Sequence, residues 1–185
     1  MNLFIEQLSQ QVSNPYSLFF FLAFALSLFM FHMKARRKIL ATKFLSDANY
    51  ATYYFLIGGL PGAMGAMIAG LGGLVQAITP DKHFQKTRYW RLGVAIILSL
   101  IAIYFSAAKS TDLLPLFAII IGRLAEMSST PQKVRLRMAL TFPPWMVYNI
   151  LHGYHLLVFA NTAVLFSLFW AIWQHHSIKH RVEPV

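Results

Sequence analysis

The chain has 185 residues, 57% of them hydrophobic and only 12% charged, with a mean hydropathy of +0.55, which leaves too little polar surface to cover a water-soluble domain of this size. A soluble monomer is excluded, and so is a separate soluble domain, because seven spans of about 18 residues with short loops would use nearly the whole length. The balance of 16 Lys plus Arg against 6 Asp plus Glu suggests nucleic acid as partner in a soluble chain and orientation in a membrane chain, while the absence of cysteine removes disulfides, thiolate metal sites and cysteine nucleophiles.

Residues 17–33 carry no charge and are followed at once by KARRK at 34–38, the pattern of a first transmembrane helix. A cleavable signal would place its positive charges before the apolar run, whereas residues 1–16 hold Glu6 and no Lys or Arg, so the N-terminus is expected to be kept. The next apolar stretch, 44–79, would be about 54 Å long as one helix, nearly twice a hydrocarbon core. It is therefore read as two spans, 44–58 and 62–79, broken at GGLPG (58–62), where the glycines permit a tight turn and Pro61 cannot continue a preceding helix.

A basic loop at 81–91 leads to a fourth run at 92–108, and KSTD at 109–112 to a fifth that reaches Ser129. After PQKVRLR (131–137) come a sixth run at 138–152, a turn at HGYH (152–155) and a seventh run at 156–173, with 174–185 as the tail. Seven spans require alternate loops to be basic if positive charge marks the cytoplasmic side. The first, third and fifth loops and the tail hold fourteen of the sixteen Lys and Arg residues; the opposite side holds Lys109, and Arg123 falls inside span five. The N-terminus is thus expected outside and the C-terminus in the cytoplasm. Since these charges serve as topology signals beside anionic lipid, nucleic acid is not expected as a partner.

Comparison of spans one to three with spans five to seven reveals an ordered repeat. Lys34-Ala-Arg36 aligns with Lys133-Val-Arg135, Tyr53 and Gly58 align with Tyr148 and Gly153, and a small-residue third helix follows in each half. The expected fold is all-α and integral to the membrane, with seven transmembrane helices in a 3+1+3 arrangement. Residues 17–79 form one three-helix bundle, 92–108 a linker helix and 112–173 a second, parallel bundle.

TPQKVRLRM at 130–138, WMVYN at 145–149 and ANT at 160–162 resemble the PQ-loop and SWEET superfamily, in which a bundle's first helix ends in Pro-Gln and its third carries Ala-Asn. KARRK, FLIGGLPGAMGAMI, DLLPLFA (112–118) and VYNILHG (147–153) are more closely similar to the YgjV family of bacterial inner-membrane proteins, over residues 17–173. The resemblance implies the fold and an inner-membrane location rather than a substrate. The first half lacks Pro-Gln, and its third helix reads AMIAG, which argues against a symmetric two-asparagine sugar site.

A charge at a helix centre costs about 2.5–3.5 kcal/mol on insertion scales, so each one needs a partner or a purpose. Arg123 and Glu126, three apart, share a helix face; an internal salt bridge and an anion- or proton-linked site are both open. Asp47, four residues after Lys43, is expected to be solvated at the cytoplasmic interface. With Tyr50 and Tyr54 it forms one polar row of span two, and Asn49 and Tyr53 form a second. In span six, Trp145, Asn149 and His152, with Tyr148 alongside, make an aromatic wall with one amide, and Asn161 in span seven could complete a site for a small polar solute; helix packing would use the same residues.

Pro143 and Pro144 inside span six predict a kink. These and Pro131 are read as hinges, a role that the SWEET-like resemblance implies. Gly62, Ala66 and Gly70 read as a small-residue packing face. The histidine groups, His152 with His155 and His175, His176 and His180 in the tail, lack accompanying carboxylates, so no metal is expected. No phosphate loop, nucleophile elbow or paired acid motif is present, and neither catalysis nor a cofactor is expected. The expected function is transport of a sugar-, nucleoside- or vitamin-like solute by alternating access. The competing reading is a non-transporting receptor or assembly protein. The expected partners are the lipid bilayer and a small polar solute, with a homo-oligomer left open.

Overall fold

A computed structural model describes residues 2–80, 83 and 86–182, and for 2–5, 7, 8, 88 and 176–182 the backbone alone. The charges counted above at Lys82, Arg88, Lys179 and Arg181, and the tail histidines His176 and His180, lie outside the described side chains. Every regular element among the described residues is helical. In chain order these are α1 (Asn2–Ser13), α2 (Ser17–Met30), α3 (Arg36–Leu56), α4 (Leu60–Ile78) and α5 (Arg88–Ser106). A 3-10 turn (Ser110–Leu113) runs into α6 (Leu114–Glu126), and α7 (Pro131–Met138), a second 3-10 turn (Ala139–Thr141), α8 (Phe142–Leu151) and α9 (His155–Val182) follow.

Three of these are long and apolar enough to cross a membrane by length and composition: Leu60–Ile78, Tyr89–Ser106 and His155–His175, with Ser17–Met30 a shorter apolar helix. The other expected spans differ in informative ways. α3 begins at Arg36 rather than at 44, because nothing between those positions breaks a helix and Ala35 supplies the extended residue before it. The fifth run opens as a 3-10 turn, since Asp112 Oδ2 accepts the amides of Ala108 at 2.8 Å and Lys109 at 2.9 Å. The sixth run is divided: Pro143 and Pro144 fall in the first turn of α8, where a missing amide hydrogen costs least, and the chain before them tightens into the 3-10 turn. Pro131 opens α7 and does not lie within the fifth run's helix. α1 was not anticipated; its Gln11 donates to Gly153 O at 3.0 Å and accepts from Leu156 N at 3.1 Å, tying it to the start of α9.

α4 packs along α3 through its small residues. A Cβ added at Gly62 would lie 2.6 Å from the Tyr54 ring, and one at Gly70 would lie 3.0 Å from Asp47 Cβ, so the absence of side chains sets how closely the two backbones approach. α2 covers α3, and α5 lies against α4 and α6. The buried apolar residues form two clusters. One holds Met30, Phe31, Ile39, Leu40, Val134 and Met138, near the basic start of α3 and α7. The other holds Phe20, Tyr53, Tyr54, Tyr148 and Leu156, near the glycine turns.

The distribution of polarity is inverted relative to a soluble protein. Phe55, Tyr104 and Phe166 are exposed while Arg123, Glu126 and Arg135 are at most 2% exposed. Such a surface suits hydrocarbon and not water.

α3 and α8 end in the same device. Gly58 and Gly153, at φ 79° and 70°, are the positive-φ residues among those described. After each, the next amide reaches back five residues: Gly59 N to Tyr54 O at 2.8 Å, and Tyr154 N to Asn149 O at 2.9 Å. Each glycine's own amide bonds three residues back, to Phe55 O at 3.1 Å and Ile150 O at 3.2 Å. This is the Schellman pattern, which needs a left-handed residue at the turn. Replacing Gly58 or Gly153 with Ala is expected to lower stability by about 1 kcal/mol each. Gly93→Ala, where an added Cβ meets nothing within 4 Å, is expected to be neutral; thermal unfolding in detergent measures all three.

Candidate functional site

Between the two apolar clusters lies a cavity of about 100 Å³. Lys43, Asp47, Tyr50 and Tyr54 reach it from α3, Arg123 from α6, Trp145 from α8 and Asn161 from α9. The face of α3 read as a polar row therefore does point inward. Asp47, expected to be solvated at the interface, instead lines this interior space, because Lys43 one turn earlier folds onto it as an ion pair.

That pair belongs to a four-charge network. Arg123 NH2 lies 2.7 Å from Glu126 Oε1, and Lys43 Nζ lies 3.3 Å from the same oxygen. Arg123 also donates to Ala69 O on α4, and Lys43 Nζ lies 3.4 Å from that carbonyl. Two cations thus face two carboxylates, with Glu126 fully buried between them. Pairing is what makes such burial tolerable, since an isolated charge here would lack any hydration. Arg123 fits because α4 has no side chain at Gly72: a Cβ there would sit 1.3 Å from NH1. The spacing of Arg123 and Glu126, and of Lys43 and Asp47, signalled each pairing; that α3 brings its pair to Glu126 and that Gly72 makes room for Arg123 come from elements distant in sequence, and no local pattern announced them.

The remaining site residues divide into two groups. Tyr54, Trp145, Asn161 and Arg123 line the cavity. The Tyr54 and Trp145 rings are stacked with centroids 6.0 Å apart, and the Asn161 side chain is hydrogen-bonded to no other described residue. Tyr53, Tyr148, Asn149 and Glu126 stand behind this wall. Tyr53 is buried against Phe20, with ring centroids 5.6 Å apart. Tyr148 Oη accepts the Gly62 amide at 3.1 Å. Asn149, 1% exposed, accepts a hydrogen bond from Tyr54 Oη at 2.6 Å through Oδ1, while its Nδ2 has no partner among the described residues. Asn149 is tied in this way to Tyr54 of the aromatic wall, while Glu126 holds Arg123 and Lys43.

Beyond the wall, His152 Nε2 lies 3.0 Å from Asp112 Oδ1 and its ring packs on Tyr148 with centroids 4.3 Å apart. Among the described residues no group of three His, Cys, Asp or Glu side chains could hold a metal.

The network makes a double-mutant cycle informative. Arg123→Gln and Glu126→Gln are each expected to cost about 3–5 kcal/mol, because each leaves a buried charge short of its partner. The double variant should cost clearly less than the sum, since it removes both charges. Gly72→Ala should reproduce the loss of Arg123→Gln by expelling the guanidinium. Unfolding of the four proteins in one detergent checks the set.

Among the curated proteins and among the solved structures, nothing matches this chain. A family model described as a bacterial inner membrane protein, Imp-YgjV, matches residues 16–179, nearly the whole of the helical region, including the cavity and the charge network. With its apolar exterior and buried charges, the chain is a membrane protein and belongs to the YgjV family of bacterial inner membrane proteins.

Proposed function

We propose that the protein carries a small polar solute across the inner membrane, as a transporter or facilitator working by alternating access and without chemically changing its cargo. The observation that carries this reading is the cavity itself, a largely apolar and aromatic space between two packed clusters into which Asn161 and a few charged side chains reach. A helix bundle with a purely structural role would gain by filling it. Asn161 offers an amide donor and acceptor, Trp145 and Tyr54 offer ring faces, and the surrounding charges cancel, two against two. Cancelled charges favour a net-neutral solute over an ion, because an ion would add an uncompensated charge to a desolvated site.

Size bears on the choice among sugar-, nucleoside- and vitamin-like solutes. A dry engineered cavity of about 150 Å³ holds benzene, and this one is about 100 Å³. Each of these solutes is bulkier than benzene, so each would require the surrounding helices to part, a nucleoside more than a sugar.

On the same reading the chain crosses the membrane seven times with its N-terminus outside and its C-terminus in the cytoplasm. The spans form the 3+1+3 arrangement of the PQ-loop and SWEET superfamily. Support comes from the shared helix-ending turns at Gly58 and Gly153 and from the alternation of basic loops. On this reading Pro131, Pro143 and Pro144, which lie in the first turns of α7 and α8, serve as hinges. A second reading, a non-transporting receptor or assembly protein, draws on the pairs that close helix to helix, Tyr54 with Asn149 and Tyr148 with Gly62.

The two readings separate in a thermal-shift screen of the purified protein against sugars, nucleosides, vitamins and small carboxylates. Asn161→Ala and Trp145→Phe are the variants of choice, since they alter the cavity wall without unpairing a charge. Transport predicts a neutral compound that stabilises the wild type, by about 2.7 kcal/mol at a hundredfold excess over Kd, and stabilises Asn161→Ala much less. No stabilisation by any compound, with both variants less stable than the parent, would favour the structural reading.

A further inference from the structure

The sequence repeat aligns Arg36 with Arg135, and the structure puts these two residues to the same use in crossed fashion. Arg36, at the start of α3, donates through Nε to Ser128 O and through NH2 to Glu126 O, both at 2.9 Å, at the C-terminal end of α6. Arg135, in α7, donates through Nε to Phe31 O at 2.6 Å and through NH2 to Met33 O at 2.7 Å, just past the C-terminal end of α2. Each arginine therefore satisfies the terminal carbonyls of a helix from the other half of the chain. Carbonyls at a helix end have no partner within the helix, and a cation there also complements the helix dipole.

The two planar forks sit beside the apolar cluster that closes one end of the cavity. Met30, Phe31 and Met138 belong both to that cluster and to the cavity wall. Gln132 steadies one fork, accepting from Arg135 NH1 at 3.3 Å and donating to Ile172 O on α9 at 3.2 Å.

We propose that Arg36 and Arg135 form a paired latch that holds the basic end of the cavity shut, and that this end opens only when both forks leave the opposing helix ends. The proposal rests on the transport reading and adds to it the residues that gate one face. The geometry makes the latch cooperative. The two halves cannot separate at this end while either fork still bridges them, yet loss of one fork leaves one arginine where there were two, beside the Ser167 bonds to His32 and Leu28 O. On the proposed topology the latched end faces the cytoplasm.

The chain has no cysteine, so single-cysteine labelling has no background. Met138→Cys places a thiol on the cavity wall beside the latch, at a residue 2% exposed. Ala160→Cys places one at a fully buried position in the other cluster, outside the cavity wall. Labelling by a membrane-impermeant maleimide is followed in inside-out and right-side-out vesicles. With the latch intact, Met138→Cys should label slowly from either side. Adding Arg36→Gln or Arg135→Gln should raise its rate about tenfold from one side only, leaving Ala160→Cys unlabelled, and Arg135→Lys, which keeps the charge but loses the fork, should fall between.

Unchanged labelling of Met138→Cys in both Gln variants would overturn the latch. So would a rate that rises at Ala160→Cys as much as at Met138→Cys, because the arginines would then only hold the fold together. The readout needs no solute. One-sided opening in a protein that moves none of the screened solutes would keep the latch as a gated cavity and remove transport, whereas solute flux with labelling unchanged would remove the latch alone.

Discussion

Hydrocarbon offers no hydrogen bonds, and so each charged or polar group within this chain must find its partner inside the protein. The network of Lys43, Asp47, Arg123 and Glu126 is the most demanding case. It brings together α3 and α6 across α4, whose backbone supplies Ala69 O as a further acceptor. Much of the packing follows. α4 must be bare at Gly72 to admit the guanidinium, and it is tight at Gly70, where an added Cβ would press on Asp47. The glycines of this helix are thus set as much by the charges they accommodate as by the close approach of α3.

The same constraint explains the helix ends. A carbonyl left over at a helix terminus inside an apolar protein is costly, and the chain meets that cost in two ways, each used twice. Where α3 and α8 turn back, a left-handed glycine lets the backbone satisfy itself. At the C-terminal ends of α2 and α6, arginines from elsewhere in the chain do so. The residues that perform each task are the ones the repeat aligns, and the pseudo-equivalent positions Tyr54 and Asn149, each the acceptor of its own glycine turn, are bonded to one another. Alignment of sequence, of backbone conformation and of bonding partner are three separate observations, and chance recurrence of a Lys-x-Arg or a Tyr-Gly spacing would produce only the first.

What the sequence made legible was set by short-range physics. Hydropathy located the apolar runs, and the GGLPG break falls where α3 gives way to α4, because glycine and proline act on the backbone at their own positions. The pairing of Arg123 with Glu126 was legible because three residues on a helix return to one face. Asp47 reads from sequence as an interface residue because Lys43 immediately precedes the apolar run, and only the tertiary fold reveals that α3 starts two turns earlier and that α6 brings Glu126 to the same lysine. The start of α3 at Arg36 was hidden for a related reason: a search for apolar runs begins where charge ends, whereas a helix continues wherever the backbone is unbroken. Tyr53, Tyr148 and Asn149 lie on polar helix faces and yet stand behind the cavity wall, since helical spacing gives an angular direction but not the depth at which a neighbouring helix intervenes.

The distribution of bonds around the cavity also constrains how such a molecule could work. At one end the ties are aromatic contacts, the hydrogen bonds of Tyr54 to Asn149 and Gly62 to Tyr148, and behind them the His152–Asp112 contact and the bonds of Gln11. At the other they are charged forks on helix termini, which are stronger individually than neutral bonds. Between them the four charges are already neutralised, so a neutral solute entering the cavity would alter neither the charge balance nor the pairing. It could act on the two ends only through shape and through the few free polar groups, chiefly Asn161. A solute that pressed Trp145 and Tyr54 apart would strain the weaker end first, since Tyr54 both lines the cavity and holds Asn149, whereas Arg36 and Arg135 are not in the cavity wall. On the proposed transport reading, the aromatic end is therefore the one whose opening a bound solute influences directly, and the arginine end responds through the helices that the two forks join.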